Sequence, residues 1–192
     1  MKRILLAGLL GGLAAFVWSA IVHMNPLTMT LGLSTLNEKE DAVLAGLRSH
    51  ELSPGLYFFP GMDMSKRMTK EQEAAWTDKF KAGPSGLLLL QPKGGEPMEL
   101  RQLVIEFLST VLCAILAATI LATTIGSVTC RAILVAMIGL FGWLAISVSQ
   151  WNWYHFPFRF IALDLMDQSI GWLLAGFVIA KLVKPVQPQA GN

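Results

Sequence analysis

Four long apolar runs constrain the fold of this chain more than any other feature of its sequence. The first covers residues 4–23, and the others cover residues 103–124, 132–149 and 160–183. A helix needs about 20 consecutive, mainly apolar residues to cross a hydrocarbon core about 30 Å thick. Hydrophobic residues occupy 54% of the 192 positions and charged residues only 15%, which is too apolar a balance for an ordinary soluble domain. The runs therefore predict an all-α membrane protein with four transmembrane helices in a bundle.

The first run also resembles a secretory signal peptide, because it follows a basic start. Its best small-residue cleavage position comes after Ala20, but bulky Trp18 stands where a small side chain is needed, and the run is long. We therefore expect residues 1–24 to be an uncleaved transmembrane helix. Small residues four positions apart, which let helices approach closely, occur in it as Gly8 with Gly12 and as Gly11 with Ala15.

Residues 25–100 form a polar segment between the first and second spans. They hold most of the charged residues of the chain and several turn-forming Pro-Gly pairs. Capping-box spacing predicts two helix starts there. The two capping pairs are Thr35 with Glu38 and Thr69 with Gln72. The runs 56–59 and 87–90 predict two short strands that pair with each other. A two-stranded sheet is only marginally stable alone, so this small α+β domain is expected to lean on the bundle or on a partner.

Basic residues near the span ends predict the orientation. One side of the four spans carries five basic residues and no acidic one. Cytoplasmic loops carry an excess of Lys and Arg, so this side is expected to be cytoplasmic. The five residues are Lys2, Arg3, Arg131, Lys181 and Lys184, of which Arg131 is expected in the loop between the second and third spans. We therefore expect a plasma (inner) membrane protein with both termini in the cytoplasm, an extracytoplasmic domain at 25–100, a three-helix region at 101–183 and a disordered cytoplasmic tail at 184–192.

Polar residues recur at helical spacing in the outer half of every predicted span. Asp164 and Asp167 are the most informative, because a carboxylate at membrane depth costs roughly 2.5–3.5 kcal/mol on insertion scales and normally faces a bundle interior. On the first span, Ser19 and His23 are four residues apart. On the third span, helical spacing places four residues on one face, namely Trp143, Ser147, Gln150 and Tyr154. The candidate polar pocket comprises His23, Arg101, Glu106, Gln150, His155, Arg159, Asp164 and Asp167.

This polar pocket has three interpretations. An ion-pair network would fix the helices relative to one another without any ligand. The candidate partners of the carboxylates in such a network are His23, Arg101, His155 and Arg159. Alternatively, the carboxylates would bind a small molecule or cation. A proton or ion pathway is disfavoured, because the inner halves of the predicted spans lack the polar residues that such a pathway needs.

Aromatic residues cluster in a predicted loop, residues 151–159, between the third and fourth spans. A belt at the level of the lipid headgroups explains this position, and a stacking surface for a quinone or pigment is the alternative. The predicted interfacial residues are Trp151, Trp153, Tyr154 and Phe156.

Motifs for catalysis, metals and cofactors are missing from the sequence. It contains no GxSxG or SxxK nucleophile motif, no HxxxH or ExxH pair on a span and no CxxC pair. Axial haem ligation by His23 and His155 stays open as an alternative. The formal charge of +2 is too small and too dispersed for a nucleic-acid partner. We therefore expect no cofactor, no metal and no catalytic activity.

These observations favour a non-catalytic integral membrane protein. We expect an accessory or assembly subunit of a larger membrane complex, in contact with the lipid bilayer and with membrane-protein partners. The alternative is a protein that binds or transports a small solute, metal or ion through the outer-leaflet carboxylate pocket.

Overall fold

The computed structural model of the chain describes residues 1–63 and 65–185 and is mainly helical. In chain order, its elements are α1 (Lys2–Met24), α2 (Pro26–Gly32), α3 (Glu40–Ser49), β1 (Gly55–Phe59), α4 (Lys70–Ala82), β2 (Gly86–Leu90), α5 (Leu100–Leu121), α6 (Val128–Tyr154) and α7 (Phe158–Leu182). The chain divides into two compact units. The bundle unit consists of Met1–Ser34 and the chain from Pro97 onwards, and the mixed unit is Thr35–Glu96.

In the described part of the chain, four helices are long and apolar enough to cross a membrane. These helices, α1, α5, α6 and α7, contain between 22 and 27 residues each. The prediction of a bundle with four helices that are long and apolar enough to span a membrane is confirmed. Helix α5 begins at Leu100 rather than at residue 103, because the Gln102 side chain accepts a hydrogen bond from the Glu99 backbone N–H at 3.0 Å and so starts the helix earlier.

Helix α6 continues further than predicted. The expected loop from 151 to 159 is wrong, since Trp151, Trp153 and Tyr154 lie on the last turn of α6. The helix ends where His155 adopts a left-handed conformation with φ 58°, and its backbone N–H donates to the Gln150 carbonyl. Helix α7 starts directly after Pro157, so the link between the two helices is only three residues long.

The glycines of α1 face α5 at very short range. A Cβ on Gly12 would lie 2.7 Å from the Val111 Cα, and a Cβ on Gly8 would lie 2.8 Å from the Ile115 Cα. Gly11 faces α7 instead, where a Cβ would lie 2.6 Å from Ile179. The predicted close approach at small residues is confirmed, and it serves two neighbours of α1 at once.

The core of the bundle unit is built mainly from small side chains. Alanines predominate among the fully buried positions, and α7 packs against both α1 and α6. Gly176 lets α6 approach α7, because a Cβ there would lie 2.6 Å from the Ala132 carbonyl oxygen. Between spanning helices, van der Waals packing replaces the hydrophobic effect, and small residues allow the closest contact. The packed alanines are Ala7, Ala114, Ala117, Ala118, Ala132, Ala175 and Ala180.

At one end of the bundle unit, Arg131 joins three helices. The prediction that Arg131 lies in a loop is wrong, since it is in the first turn of α6 and only 2% exposed. Its guanidinium donates to the Leu121 carbonyl of α5 at 2.8 Å and to the Ala180 and Val183 carbonyls of α7 at 3.2 and 2.8 Å. Carbonyls at a helix end lack the usual partner one turn further along the helix, and Arg131 gives these three a side-chain donor. The Leu121 carbonyl also accepts from the N–H and the hydroxyl of Thr124.

Short helix α2 belongs to the bundle unit. It starts at Pro26, and the Asn25 side chain caps it by accepting from the Leu27 N–H at 2.9 Å. Gly32 at its end lies against Phe160 and Leu163 of α7. The polar segment predicted at 25–100 therefore contributes its first ten residues to the bundle unit, and its location outside the membrane stays a prediction.

The mixed unit contains the predicted pair of strands. Strands β1 and β2 pair antiparallel, from Gly55 opposite Leu90 to Phe59 opposite Gly86, and α4 connects them. Phe58 stacks on Phe80 of α4 with ring centroids 6.1 Å apart. The indole of Trp76 on the same helix donates to the Pro60 carbonyl at 3.1 Å. Helix α4 is thereby fixed to the sheet.

The two predicted capping boxes have different outcomes. The box of Thr69 and Gln72 is confirmed at the start of α4, with hydrogen bonds of 3.0 and 3.3 Å. The box of Thr35 and Glu38 is wrong, because the Thr35 hydroxyl donates to Asn37 instead and a 3₁₀ turn at Asn37–Lys39 precedes α3. Of the tail predicted at 184–192, residues 186–192 lie outside the described residues.

Candidate functional site

The polar residues of the spanning helices meet at the end of the bundle unit opposite Arg131. We call it the His23 end, where α1 and α6 finish and α5 and α7 begin. Hydrogen bonds of Ser19 with Asp167 and of Ser147 with Asp164 connect α1 and α6 directly to α7. The polar stripes predicted on α1, α6 and α7 thus face one another inside the bundle unit.

Asp167 is the most enclosed acidic group of the His23 end. It lies on α7 and is 4% exposed. Its Oδ2 accepts from the Ser19 hydroxyl at 3.1 Å and lies 3.2 Å from Nε2 of His23. Its Oδ1 is buried and has no hydrogen-bond partner among the described residues. One oxygen of this carboxylate is therefore doubly paired and the other is left unpaired.

Asp164 ties α7 to α6 one turn nearer the start of α7. Its Oδ2 accepts from the Ser147 hydroxyl. The Trp143 indole of α6 donates to the Ile161 carbonyl of α7 at 3.0 Å, so a second polar bond supports the same contact. A small cavity of about 110 Å³ adjoins Asp164 and is also lined by His23 and Thr28. The two aspartates thus serve different helix contacts.

A cavity of about 180 Å³ lies between α1, α5 and α7. Asp167 and Glu106 both line it, and no Lys or Arg does. The Trp172 indole donates to Gln168 at 2.9 Å, which fixes the orientation of this aromatic ring in the lining. The full lining is Ala15, Ser19, Glu106, Ser109, Thr110, Cys113, Asp167, Gln168 and Trp172.

Glu106 connects this cavity to a neighbouring cleft. The cleft has a volume of about 430 Å³ and shares Ser19 and Glu106 with the cavity. The hydroxyls of Ser109 and Thr110 donate to the Glu106 backbone carbonyl at 2.9 Å rather than to its carboxylate. The carboxylate therefore keeps its acceptor capacity. The apolar part of the cleft is formed by Phe16, Met24, Met98 and Leu103.

Four of the eight predicted pocket residues gather around these cavities, namely His23, Glu106, Asp164 and Asp167. Across residues 1–63 and 65–185, the pair of His23 and Asp167 is the only salt bridge. Arg101 and Arg159 are exposed and form none, although the sequence suggested them as partners for the carboxylates. Gln150 and His155 act at the end of α6, where the Gln150 carbonyl accepts backbone hydrogen bonds.

Two of the four predicted interfacial residues pack in pairs against aromatic rings of α7. Trp151 contacts Phe158 with ring centroids 6.2 Å apart, and Phe156 contacts Phe160 at 5.6 Å. Trp153 is 70% exposed, so its ring is free to contact other molecules. A belt at headgroup level stays a prediction for these residues.

Several important side chains were not predicted as site residues. Gln168 and Trp172 lie next to the predicted stripe of α7, but a Gln and a Trp in an apolar run give no signal of their own. Trp18 lies against Gly171, and its buried indole N–H has no partner among the described residues. From the sequence, Arg131 was informative only as a basic residue near a span end, which indicates orientation and not its contacts.

Within the described residues, no group of three or more His, Cys, Asp or Glu side chains is arranged to hold a metal ion. Comparisons with protein-family models, with curated proteins and with solved structures find no match to this chain.

Proposed function

We propose that this chain is a non-catalytic membrane protein that serves as an accessory or assembly subunit of a larger membrane complex. The mixed unit makes the contacts in this proposal. The observation that carries it is the lack of a core in that unit, where Pro60 is the only buried residue among the described positions. A unit of this size gains little stability from such a core, so covering its apolar surface would stabilise it.

The exposed face of the sheet is a suitable contact surface. Leu56 and Leu89 stand opposite each other on the two strands and are 66% and 82% exposed. Burying a leucine side chain contributes about 1.5–3 kcal/mol. Within the described residues, each strand pairs only with the other, so one edge of each also offers free backbone groups. A protein partner satisfies both needs, whereas lipid offers no partners for strand edges.

An apolar groove on the mixed unit supports the same role. It lies between α3 and β2, has a volume of about 370 Å³, and is lined by Leu44, Leu47, Leu52 and Leu90 among others. Acidic residues slightly outnumber basic ones in Thr35–Glu96, so this unit lacks the positive charge that draws proteins to anionic lipid. Its charge and its apolar groove both favour a protein partner over a membrane surface.

The topology belongs to this proposal. Lys2, Arg3, Lys181 and Lys184 would be cytoplasmic with Arg131, and the mixed unit would face the other side of the plasma (inner) membrane. The hydrogen bonds of Arg131 to Ala180 and Val183 support the grouping of these basic residues at one end. The positive-inside rule then assigns that end to the cytoplasm.

Photo-crosslinking in native membranes tests the contact surface. A photoreactive residue would replace Leu89, and a matched one would replace Asp78, which is exposed on the side of α4 away from Trp76. We expect a discrete adduct with a membrane protein at position 89 and none at position 78. The same weak adducts at both positions would contradict the proposed surface.

A second candidate function is the binding of a small solute or ion. One specific observation favours it, namely the unpaired Oδ1 of a buried aspartate in the lining of the cavity between α1, α5 and α7. An unsatisfied buried acceptor normally has a partner in the functional state of a protein. This role is compatible with that of an accessory subunit, because the two use different units.

A further inference from the structure

We propose that the cavity between α1, α5 and α7 binds the ammonium group of an alkylamine or aminolipid, with Asp167 and Glu106 as its counter-charges. This inference rests on the second candidate function and names its ligand class. It does not depend on the partner proposed for the mixed unit.

Asp167 supplies the first counter-charge. Its Oδ2 already receives the hydroxyl of Ser19 and contacts His23, whereas its Oδ1 is buried without a donor. A buried carboxylate oxygen without a partner is costly, and a charged donor compensates it more fully than a neutral one. An ammonium N–H provides both the hydrogen bond and the opposite charge.

Glu106 supplies the second counter-charge. It lines the same cavity from α5, and no Lys, Arg or His lies within salt-bridge distance of it in the described chain. The hydroxyls of Ser109 and Thr110 use their hydrogens in hydrogen bonds to the Glu106 backbone carbonyl. Towards other groups, these hydroxyl oxygens therefore act as hydrogen-bond acceptors. The lining is therefore rich in acceptors and carries two carboxylates, with His23 next to Asp167 as the single basic neighbour.

The volume and the aromatic lining of the cavity favour an organic cation over a bare metal ion. A volume of about 180 Å³ exceeds that of a cavity of about 150 Å³ that accommodates benzene. Trp172 adds an aromatic surface, and its ring is fixed by the hydrogen bond to Gln168. Aromatic rings attract ammonium groups through their quadrupole, most strongly where water is excluded.

The adjoining cleft accounts for the apolar part of the ligand. It shares Ser19 and Glu106 with the cavity and continues along Phe16, Met98 and Leu103. An alkyl chain would contact these side chains while its ammonium group reached Asp167. A soluble alkylamine and the ethanolamine headgroup of a lipid both present this ammonium group.

Thermal unfolding of the full-length protein tests the site. In detergent, n-butylammonium chloride would be titrated against sodium chloride at matched ionic strength. We expect a saturable rise of Tm with the amine only. In a second arm, nanodiscs containing phosphatidylethanolamine would be compared with nanodiscs of phosphatidylglycerol, and a rise of Tm confined to this arm would identify the lipid headgroup as the source.

Glu106→Gln is the decisive variant, because the Glu106 carboxylate makes no hydrogen bond or salt bridge within the described residues, so the fold does not depend on it. We expect it to weaken the apparent affinity at least tenfold. Asp164→Asn is the matched control, since Asp164 lies on the same helix as Asp167 but outside this cavity. The affinity of this variant for the amine should stay within about twofold of that of the wild type. Asp167→Asn should abolish the response if the variant folds.

Three results would overturn the proposal. No saturable response in either arm would reject the site and the second candidate function together. A saturable response to sodium that depends on Glu106 would reject the ammonium ligand and keep an ion-binding function. An amine response unchanged by Glu106→Gln would show that the amine binds elsewhere on the protein.

Discussion

Nε2 of His23 lies 3.2 Å from Oδ2 of Asp167 and thereby connects the last turn of α1 with α7. The imidazole side chain is 58% exposed, whereas the carboxylate is 5% exposed. The pair therefore connects an exposed side chain at the His23 end with a buried acidic group. Ser19 contacts the same oxygen one turn before His23, so two side chains of α1 recognise a single atom of α7.

Ser19→Ala should weaken the contact between α1 and α7. The variant removes the hydroxyl that donates to Asp167, and hydrogen bonds to charged groups contribute about 1.5–3 kcal/mol. We expect a loss of that order in the free energy of unfolding, measured by denaturant titration in mixed micelles. Ser109→Ala is the control, because its hydroxyl bonds only within α5. Equal losses in the two variants would contradict a specific bond between helices.

Arg131→Gln should destabilise the opposite end of the bundle unit. The variant removes the guanidinium donor from three carbonyls at the ends of α5 and α7, and we expect a loss of about 2–4 kcal/mol in unfolding free energy. Arg131→Lys should rescue only part of it, since a point charge does not reproduce the planar fork. Lys184→Gln, at an exposed basic residue, is the control, and a similar effect there would show that charge alone matters.

Gly139→Ala should separate α6 from α7. An added Cβ would lie 2.7 Å from Cγ of Trp172, a half-buried ring whose indole N–H is held by Gln168, so we expect a loss of about 1–3 kcal/mol. Gly142→Ala is the matched control, because no atom lies within 4 Å of the added Cβ. The control should be neutral or slightly stabilising, as alanine favours helix. Thermal unfolding of both variants checks the difference.

His155→Gly should stabilise the protein by about 1 kcal/mol. His155 ends α6 at φ 58°, a conformation that costs other residues free energy and glycine none. Asn152→Gly, one turn earlier and inside the helix, should be slightly destabilising instead. A lower Tm for His155→Gly would show that the imidazole itself contributes, as a ligand or partner would require.

The spanning helices were predictable because length and hydropathy suffice to identify them. The facing of Ser147 and Asp164 was predictable as well, since helical spacing determines which side chains share a face. The same argument brought Ser19 and His23 towards Asp167. In each case the spacing within one helix shows which polar residues share a face. Because polar groups are costly in contact with lipid, that face is expected to point into the bundle.

Contacts that depend on the ends of other helices were not predictable. Arg131 binds backbone carbonyls, which every residue has, so its partners leave no trace in the sequence. Arg101 and Arg159 failed as partners of the carboxylates because they begin helices at the His23 end, where long basic side chains readily extend into polar surroundings. The cavity depends on three helices at once, and spacing within one helix does not reveal it.

The most direct test of the accessory role is purification of the full-length protein from its native membrane in mild detergent, followed by mass spectrometry of the intact assembly. The proposal predicts that one or more membrane proteins co-purify in fixed stoichiometry and that Leu56→Asp with Leu89→Asp releases them while the bundle unit stays folded. A monodisperse single chain with no partner, at the same expression level, would contradict it.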